Sequence, residues 1–329
     1  MNKNIKSFVT FRLPNENNFF TLATAQSLIN RKEIDFTKNG FYISSFDKEK
    51  NYILEPEITL ENEFISCYFN LNNSPTEITK EEYLPQVKKI TEAIKRTEYE
   101  KVVLSRVKLI KKTENFDYKK VFLSLCKKYP TAFISMFYSV ETGFWIGASP
   151  ELLLKKGNKT YHTVSLAGTK TSNKNWTEKE IHEQQCVTDY IEKCLKNTAK
   201  NIQITKPFDA KAGNLIHLKS ELNFELNSDN EVGKIINKLH PTPAVCGIPK
   251  EKAKNFIQEI EKHNRDFYTG FIGLKSENSL NLFVNLRCMQ VCKNNLALYI
   301  GGGIMENSIP EDEWEETENK SKTILNSFN

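Results

Sequence analysis

One large α+β domain is the fold class this sequence predicts. The chain has 329 residues, enough for one large domain or two ordinary ones. Strand and helix patterns are interleaved irregularly, without the regular alternation of a doubly wound parallel sheet. No repeat, low-complexity tract or long linker divides the chain, so residues 1–329 read as a single domain.

The elements follow in order. The first 75 or so residues are rich in Asn and aromatics, with weak period-2 stretches; Phe41-Tyr42-Ile43 and Phe64-Ile65-Ser66-Cys67-Tyr68-Phe69 read as short strands. Asn72-Asn73-Ser74-Pro75 is a turn. Leu84, Val87, Ile90 and Ile94 then recur at helical spacing. Lys101–Val107 is an apolar strand, and a helix over 116–128 stops near Pro130. Strands are expected at 131–138, 143–148 and 151–155, with a turn at Gly157-Asn158-Lys159. A long helix runs from Thr177 to about Thr198. Strands follow at 202–205 and 214–226, then helices near 232–239 and 250–263. Long β segments fill 266–275, 281–292 and 296–300 before a last helix that opens at Pro310.

Composition narrows the function class. Hydrophobic residues make up 39% of the chain and aromatics 11%, ordinary for a soluble globular protein. Lys and Arg total 46 against 41 acidic residues, and no long basic run occurs, which argues against nucleic acid while leaving a modest field for a small anion. No stretch approaches the ~18 apolar residues that span a membrane. The start Met1-Asn2-Lys3-Asn4-Ile5-Lys6 lacks the apolar core of a signal peptide. Seven cysteines, none in a Cys-x-x-Cys pair, read as reduced thiols of a cytoplasmic protein.

The residues richest in chemistry lie at the end. Gly301-Gly302-Gly303 lets backbone approach something closely. On the final helix Glu313, Glu316 and Lys320 share one face. A second pair three apart, Glu180 and Glu183, opens the helix after Thr177. Thr177-x-x-Glu180 also reads as a capping box, which accounts for Glu180 without a metal but not for Glu183. Four carboxylates on two helices suit Mg²⁺, which needs only one or two of them directly. Lys101 opens its strand as an edge residue or, in a dry pocket, as an amine that gives up its proton readily. Glu151, after Gly147-Ala148-Ser149-Pro150, is a candidate acid raised by burial. Ser165–Lys170 offers small residues whose amides suit a carboxylate. His240 sits in the Pro-punctuated loop His240-Pro241-Thr242-Pro243, and Arg287 ends an apolar strand where bidentate capture of a carboxylate is possible.

Six ordered segments make the chain resemble the chorismate-utilising enzymes, which include isochorismate, salicylate, anthranilate and aminodeoxychorismate synthases. They are Lys-Val-Val-Leu-Ser-Arg at 101, Gly-Ala-Ser-Pro-Glu at 147, Leu-Ala-Gly-Thr at 166, Lys-Glu-x-x-Glu at 179, His-Pro-Thr-Pro-Ala at 240, and the closing Gly-Gly-Gly-Ile with Glu-Trp-x-Glu-Thr. The resemblance spans about residues 80–327. Water-adding members resemble this chain in having lysine at the position of Lys101, where amine-adding members tend to have glutamine. Ala167 stands where the amine-adding branch has the lysine of Ile-Lys-Gly-Thr. No Leu-x-Glu-Ser tryptophan-binding element is recognisable near the start. The resemblance is greatest to isochorismate synthase, with salicylate synthase as the close competitor.

The resemblance implies two packed antiparallel sheets surrounded by helices. It implies Mg²⁺ held by Glu183 and Glu316, with Glu180 and Glu313 holding its waters. Lys101 would take a proton from water attacking C2 of chorismate, and Glu151 would protonate the hydroxyl leaving C4. Arg287 and Tyr268 would hold the enolpyruvyl carboxylate. Gly168, Thr169, Gly301 and Lys320 would complete the anion shell beside the Leu286 backbone, with His240 near the ring. No obligatory protein partner, nucleic acid or membrane is implied, and isochorismate would feed menaquinone or siderophore biosynthesis. The competing readings are a salicylate synthase, an aminating subunit that needs a glutaminase, and a non-catalytic chorismate-binding protein.

Overall fold

The computed structural model describes residues 4–171, 175–212 and 215–328, without the side chains of Thr169, Thr171, Lys179, Ala212, Leu215 and Asp229. Five short strands come first: β1 (Ser7–Arg12), β2 (Phe20–Thr24), β3 (Gly40–Ser44), β4 (Asn51–Leu54) and β5 (Ile58–Glu61). Next are α1 (Lys80–Lys95), β6 (Lys101–Lys111), α2 (Tyr118–Lys128), β7 (Phe133–Ser139), β8 (Gly143–Ser149), β9 (Leu152–Gly157) and β10 (Thr160–Thr171). The second half holds α3 (Glu178–Leu195), β11 (Ala199–Ile204), β12 (Phe208–Ala212), β13 (Leu215–Leu226), α4 (Val232–Leu239), β14 (Gly247–Ile248) and α5 (Lys250–Ile260). It closes with β15 (Phe271–Lys275), β16 (Ser279–Val284), β17 (Cys288–Val291), β18 (Asn295–Ile304) and α6 (Pro310–Leu325).

These strands form two antiparallel sheets. One runs β14-β6-β18-β17-β8-β7-β1-β2-β5, and the other β11-β13-β10-β9-β16-β15-β3-β4, with β12 also on β13. β7 and β8 are buried at every position, as strands covered on both faces must be. Between the sheets lies an aromatic core in which Phe133 stacks on Phe283 at 4.3 Å and Phe11 meets Phe41 at 5.6 Å. The outer face of the second sheet packs on α3 and α4 through Leu222, Val187 and Ile235. The outer face of the first sheet is covered by α2 through Phe122 and Leu125 and by Ile324 of α6. A further cluster joins α1 and α5 to β6 through Val87, Phe256 and Val102. Fold class and sheet arrangement therefore stand as the sequence and its resemblance imply.

The local differences have physical reasons. Residues 64–69 form no strand. Their rings dock instead, Phe64 stacking on Phe19 at 4.8 Å and Phe69 on Phe144 at 4.7 Å, so the apolar pattern reports burial without backbone pairing. β1, β2, β4, β5, β10, β12 and β14 are strands the patterning missed. The N-terminal part adds β1, β2 and β5 to one sheet and β3 and β4 to the other. α5 stops at Ile260, and the next residues turn inward. There the buried Glu261 side chain, whose carboxyl Arg265 holds low despite the cost of burial, accepts from the Ser105 amide at 2.7 Å and pairs with Arg265 at 2.6 Å. The segment 266–270 is a loop, with Asp266 and Thr269 in the left-handed region. Among the described residues no helix is long and apolar enough to cross a membrane.

Truncating Phe133 opens a void between the sheets, because its ring is fully buried against Phe283. We expect Phe133→Ala to lose about 3–5 kcal/mol in a denaturant titration. A loss below about 1 kcal/mol would contradict this packing.

Candidate active site

The site is built on one strand pair. β6 and β18 run antiparallel from Asn295 opposite Lys111 to Ile304 opposite Val102, which lays Gly301, Gly302 and Gly303 beside Ser105, Leu104 and Val103. The three glycines lie inside the strand, which runs to Ile304, beyond the 296–300 expected from the sequence. Their missing side chains leave a shelf, and charged groups occupy the space above it. A Cβ on Gly303 would stand 2.7 Å from Cε of Lys101 and 3.8 Å from Oε1 of Glu183. A Cβ on Gly302 would stand 3.3 Å from Oε2 of Glu313 and 3.8 Å from Oε1 of Glu316.

Two helices deliver the carboxylates. α3 starts at the cap Thr177, and Glu180 accepts from the Thr177 amide at 2.9 Å, so the capping box is formed. Glu183, one turn on, forms an ion pair with the Lys101 ammonium, whose residue is only 4% exposed. α6 begins at Pro310. Glu313 is buried and accepts from the Ser308 hydroxyl, while Glu316 pairs with Lys320 at 2.6 Å. That lysine also donates to the Gly301 carbonyl at 3.0 Å. Chiefly because of Lys320, the Glu316 carboxyl is held below its ordinary range despite the opposing effect of burial. Acidic groups in the first turns of both helices are also favoured by the helix dipoles.

Across the cavity, Glu151 sits at the turn between β8 and β9. Its backbone carbonyl accepts from the Val284 amide at 3.0 Å, which anchors the turn to β16. Burial pushes its carboxyl up to about 7, against a weak hydrogen bond from Thr242 at 3.4 Å and the charge of Lys101. Arg287 stands between β16 and β17 with φ 46°, a left-handed backbone that costs a side-chain-bearing residue on the order of 1–3 kcal/mol. The Ala148 amide bonds its carbonyl at 3.1 Å and helps hold it there. Burial lowers the guanidinium pKa from its ordinary value, and among the described residues no carboxylate pairs with it. A half-buried cation with no partner in the protein fits an anionic ligand. Tyr268 also lines the cavity, its hydroxyl 2.9 Å from where a Cβ on Gly301 would sit; burial raises its pKa, so it stays protonated.

These groups enclose a cavity of about 310 Å³. Lys101, Glu151, Gly168, Glu180, Glu183, Tyr268, Leu286, Arg287, Gly301, Glu313, Glu316 and Lys320 all line it. Gly168, with φ 70°, sits at a bulge in β10 and lets Glu180 approach, its would-be Cβ only 3.0 Å from Glu180 Cβ. The Thr169 side chain lies outside the described residues. His240 is not among the lining residues. It is fully buried, bonds the Phe46 carbonyl at 3.1 Å and packs on the Phe271 ring, and burial lowers its pKa to about 3. The structure thus gives it a buried position outside the cavity lining. The histidine that does line the cavity is His217 of β13, with Nδ1 3.1 Å from the Gly168 carbonyl. Burial lowers its pKa, and Arg287 and Lys320 push it the same way. The available signal was alternation: Ile216 and Leu218 on either side are apolar and buried, so His217 faces the opposite side of the sheet.

Residues 45–329 match the family model described as chorismate binding enzyme. The chain belongs to the chorismate-binding enzymes. It is 33% identical over 196 residues to the vibriobactin-specific isochorismate synthase of Vibrio cholerae, covering 55% of this chain and 49% of that protein. It is 30% identical over 243 residues to the isochorismate synthase EntC of Escherichia coli, covering 70% of this chain and 62% of the relative. The match therefore spans about half to three-fifths of these relatives. Among solved structures, one described as a 2,3-dihydroxybenzoate-specific isochorismate synthase, DhbC, from Bacillus anthracis superposes with TM-score 0.83 at 26% identity, over 100% of this chain and 97% of that one. The menaquinone-specific isochorismate synthase MenF of Escherichia coli superposes with TM-score 0.86 at 19% identity, over 100% of this chain and 90% of that one, a likeness of fold.

In Gly303→Ala the added methyl collides with the flexible end of Lys101, not with backbone. We expect turnover of the family's substrate to fall by at least about tenfold, with a melting temperature close to the parent's. Parent-like turnover would show that the shelf does not position Lys101.

Proposed function

We propose that this protein is an isochorismate synthase, converting chorismate to isochorismate. The observation that supports it best is the pairing of one amine and one raised carboxyl, Lys101 and Glu151, on a single cavity whose remaining cation, Arg287, has no carboxylate partner in the protein. Chorismate carries two carboxylates on and beside a six-membered diene ring. Arg287, with the Tyr268 hydroxyl, takes the enolpyruvyl carboxylate; Lys320 and the amides of the bulge at Gly168 border the rest of the anion.

The reaction is an allylic displacement. Water forms a bond to C2 as the ring double bond shifts and the C4–O bond breaks. Lys101 must first give its ammonium proton to solvent; as the neutral amine it then receives the proton of the attacking water, and Glu151 gives its proton to the departing hydroxyl, which leaves as water. One water is consumed and one released, so the net change is an isomerisation. Both groups then return to their starting states by exchange with solvent. Ala167 leaves no side-chain amine beside the bulge, consistent with water as nucleophile.

The donors over the shelf suit Mg²⁺. All are carboxylate oxygens, and Glu183 and Glu316 are each already neutralised by an ammonium group, which shows a local demand for positive charge. Among the described residues no three His, Cys, Asp or Glu side chains stand in ligand geometry. As the family resemblance implies, a hard cation here would be held directly by Glu183 and Glu316, and through water by Glu180 and Glu313. Such a cation supplies charge neutralisation and a template for the ring carboxylate.

Two measurements follow. Lys101→Ala should bind chorismate within a few-fold of the parent in calorimetry yet lose at least about a hundredfold in kcat; retained turnover removes Lys101 as the base. The rate should also fall as pH rises through about 7, because Glu151 must carry its proton to act as the acid and its carboxyl titrates there. A profile rising through that range would contradict the assignment.

A further inference from the structure

A second cavity, of about 390 Å³, lies against the first and shares Pro150, Leu166 and His217 with it. Its floor is the face of the second sheet opposite α3 and α4, where Val164, Leu166 and Phe283 give an apolar strip. Its rim is basic. One rung across the strands sets Asn281, Lys155, His162 and Asn223 side by side. Lys211 of β12 and Lys219 of β13 stand on the same cavity, and Glu16 is the one acidic residue lining it among those described. Lys219 is engaged by Glu221 at 2.7 Å. Lys155 and Lys211 are exposed and pair with no carboxylate among the described residues.

The contrast with the catalytic cavity is electrostatic. Glu151, Glu180, Glu183, Glu313 and Glu316 line that cavity against Lys101, Arg287 and Lys320. A doubly negative substrate meets repulsion on the carboxylate side and attraction on the side of Lys155 and Lys211. Lining a cleft with one sign of charge raises the local concentration of the opposite ion. The apolar strip suits a ring, and the shared wall leads to His217 and Arg287.

We propose that the second cavity is an anion-gathering antechamber, in which a ring-bearing dicarboxylate is held by Lys155 and Lys211 before it passes His217 into the catalytic cavity. The proposal rests on the function proposed above, since it takes the substrate to be a dianion. Neither lysine touches the catalytic groups, so the effect should fall on substrate capture and not on the chemical steps.

The test compares full-length parent, Lys155→Glu/Lys211→Glu, and a control of equal charge change on the exposed face of α1, Lys88→Glu/Lys95→Glu, with chorismate as substrate. Below ~0.1 M salt, KM of the first variant should rise about three- to tenfold, with kcat within about twofold and the gap closing at high salt. The control should stay close to the parent. An unchanged KM in Lys155→Glu/Lys211→Glu, or an equal rise in the control, overturns the antechamber. A parent that does not convert chorismate overturns the proposed function instead. The antechamber is then read from chorismate dissociation constants in the same three proteins, where the same ordering supports it and equal constants overturn it.

Discussion

The space above Gly301-Gly302-Gly303 is the constraint on which the site depends. Ten paired residues of β6 and β18 fix where that shelf lies relative to Lys101. Any side chain there would meet Lys101 Cε, the Glu313 and Glu316 carboxylates or the Tyr268 hydroxyl, within 2.7–3.8 Å of its first carbon. The glycines are thus empty volume held open by a rigid sheet, and two helix starts fill it with charge. A loop would not serve as well, because loops drift and a paired strand does not.

A buried strut holds the rest of the wall in register with the shelf. Arg265 donates to the Val103 carbonyl at 2.7 Å and the Val245 carbonyl at 2.8 Å, while Glu261 holds both Arg265 and the Ser105 amide. Val103 and Val245 line the cavity, so one ion pair ties β6 to the loop before β14. The N-terminal hairpin supports the same region from outside, through Lys50 to Asp266 at 2.8 Å and the Phe46 amide to the Asp266 carbonyl at 2.9 Å. Here the aromatic-rich first part of the chain finds a role beyond adding strands.

Some of this was legible in the sequence because it is local. Carboxylates three apart on a helix share a face whatever the helix packs against, so spacing alone pairs Glu180 with Glu183 and Glu313 with Glu316. The capping box at Thr177 was equally local, and it is formed. What stayed hidden depends on distant partners. His240 carried a conspicuous Pro-flanked signal, yet it lies buried with its Nε2 on the Phe46 carbonyl, 194 residues away in sequence. His217 carried almost none and reaches the cavity because β10 bulges at Gly168 across from it. The apolar run at 64–69 looked like a strand because rings that dock on a core leave the same pattern as rings on a paired strand. The left-handed backbone that aims Arg287 depends on the β8–β17 register and has no signature in the residue itself.

Water addition to chorismate at this site is the central proposal. The most direct measurement is chromatography of the products after the purified protein is incubated with chorismate and Mg²⁺, with and without a chelator. Isochorismate is expected as the single product, lost when the metal is removed. Salicylate with pyruvate would place an elimination after the isomerisation at the same residues and contradict the assigned end product; unchanged chorismate under both conditions would contradict catalysis by Lys101 and Glu151 altogether.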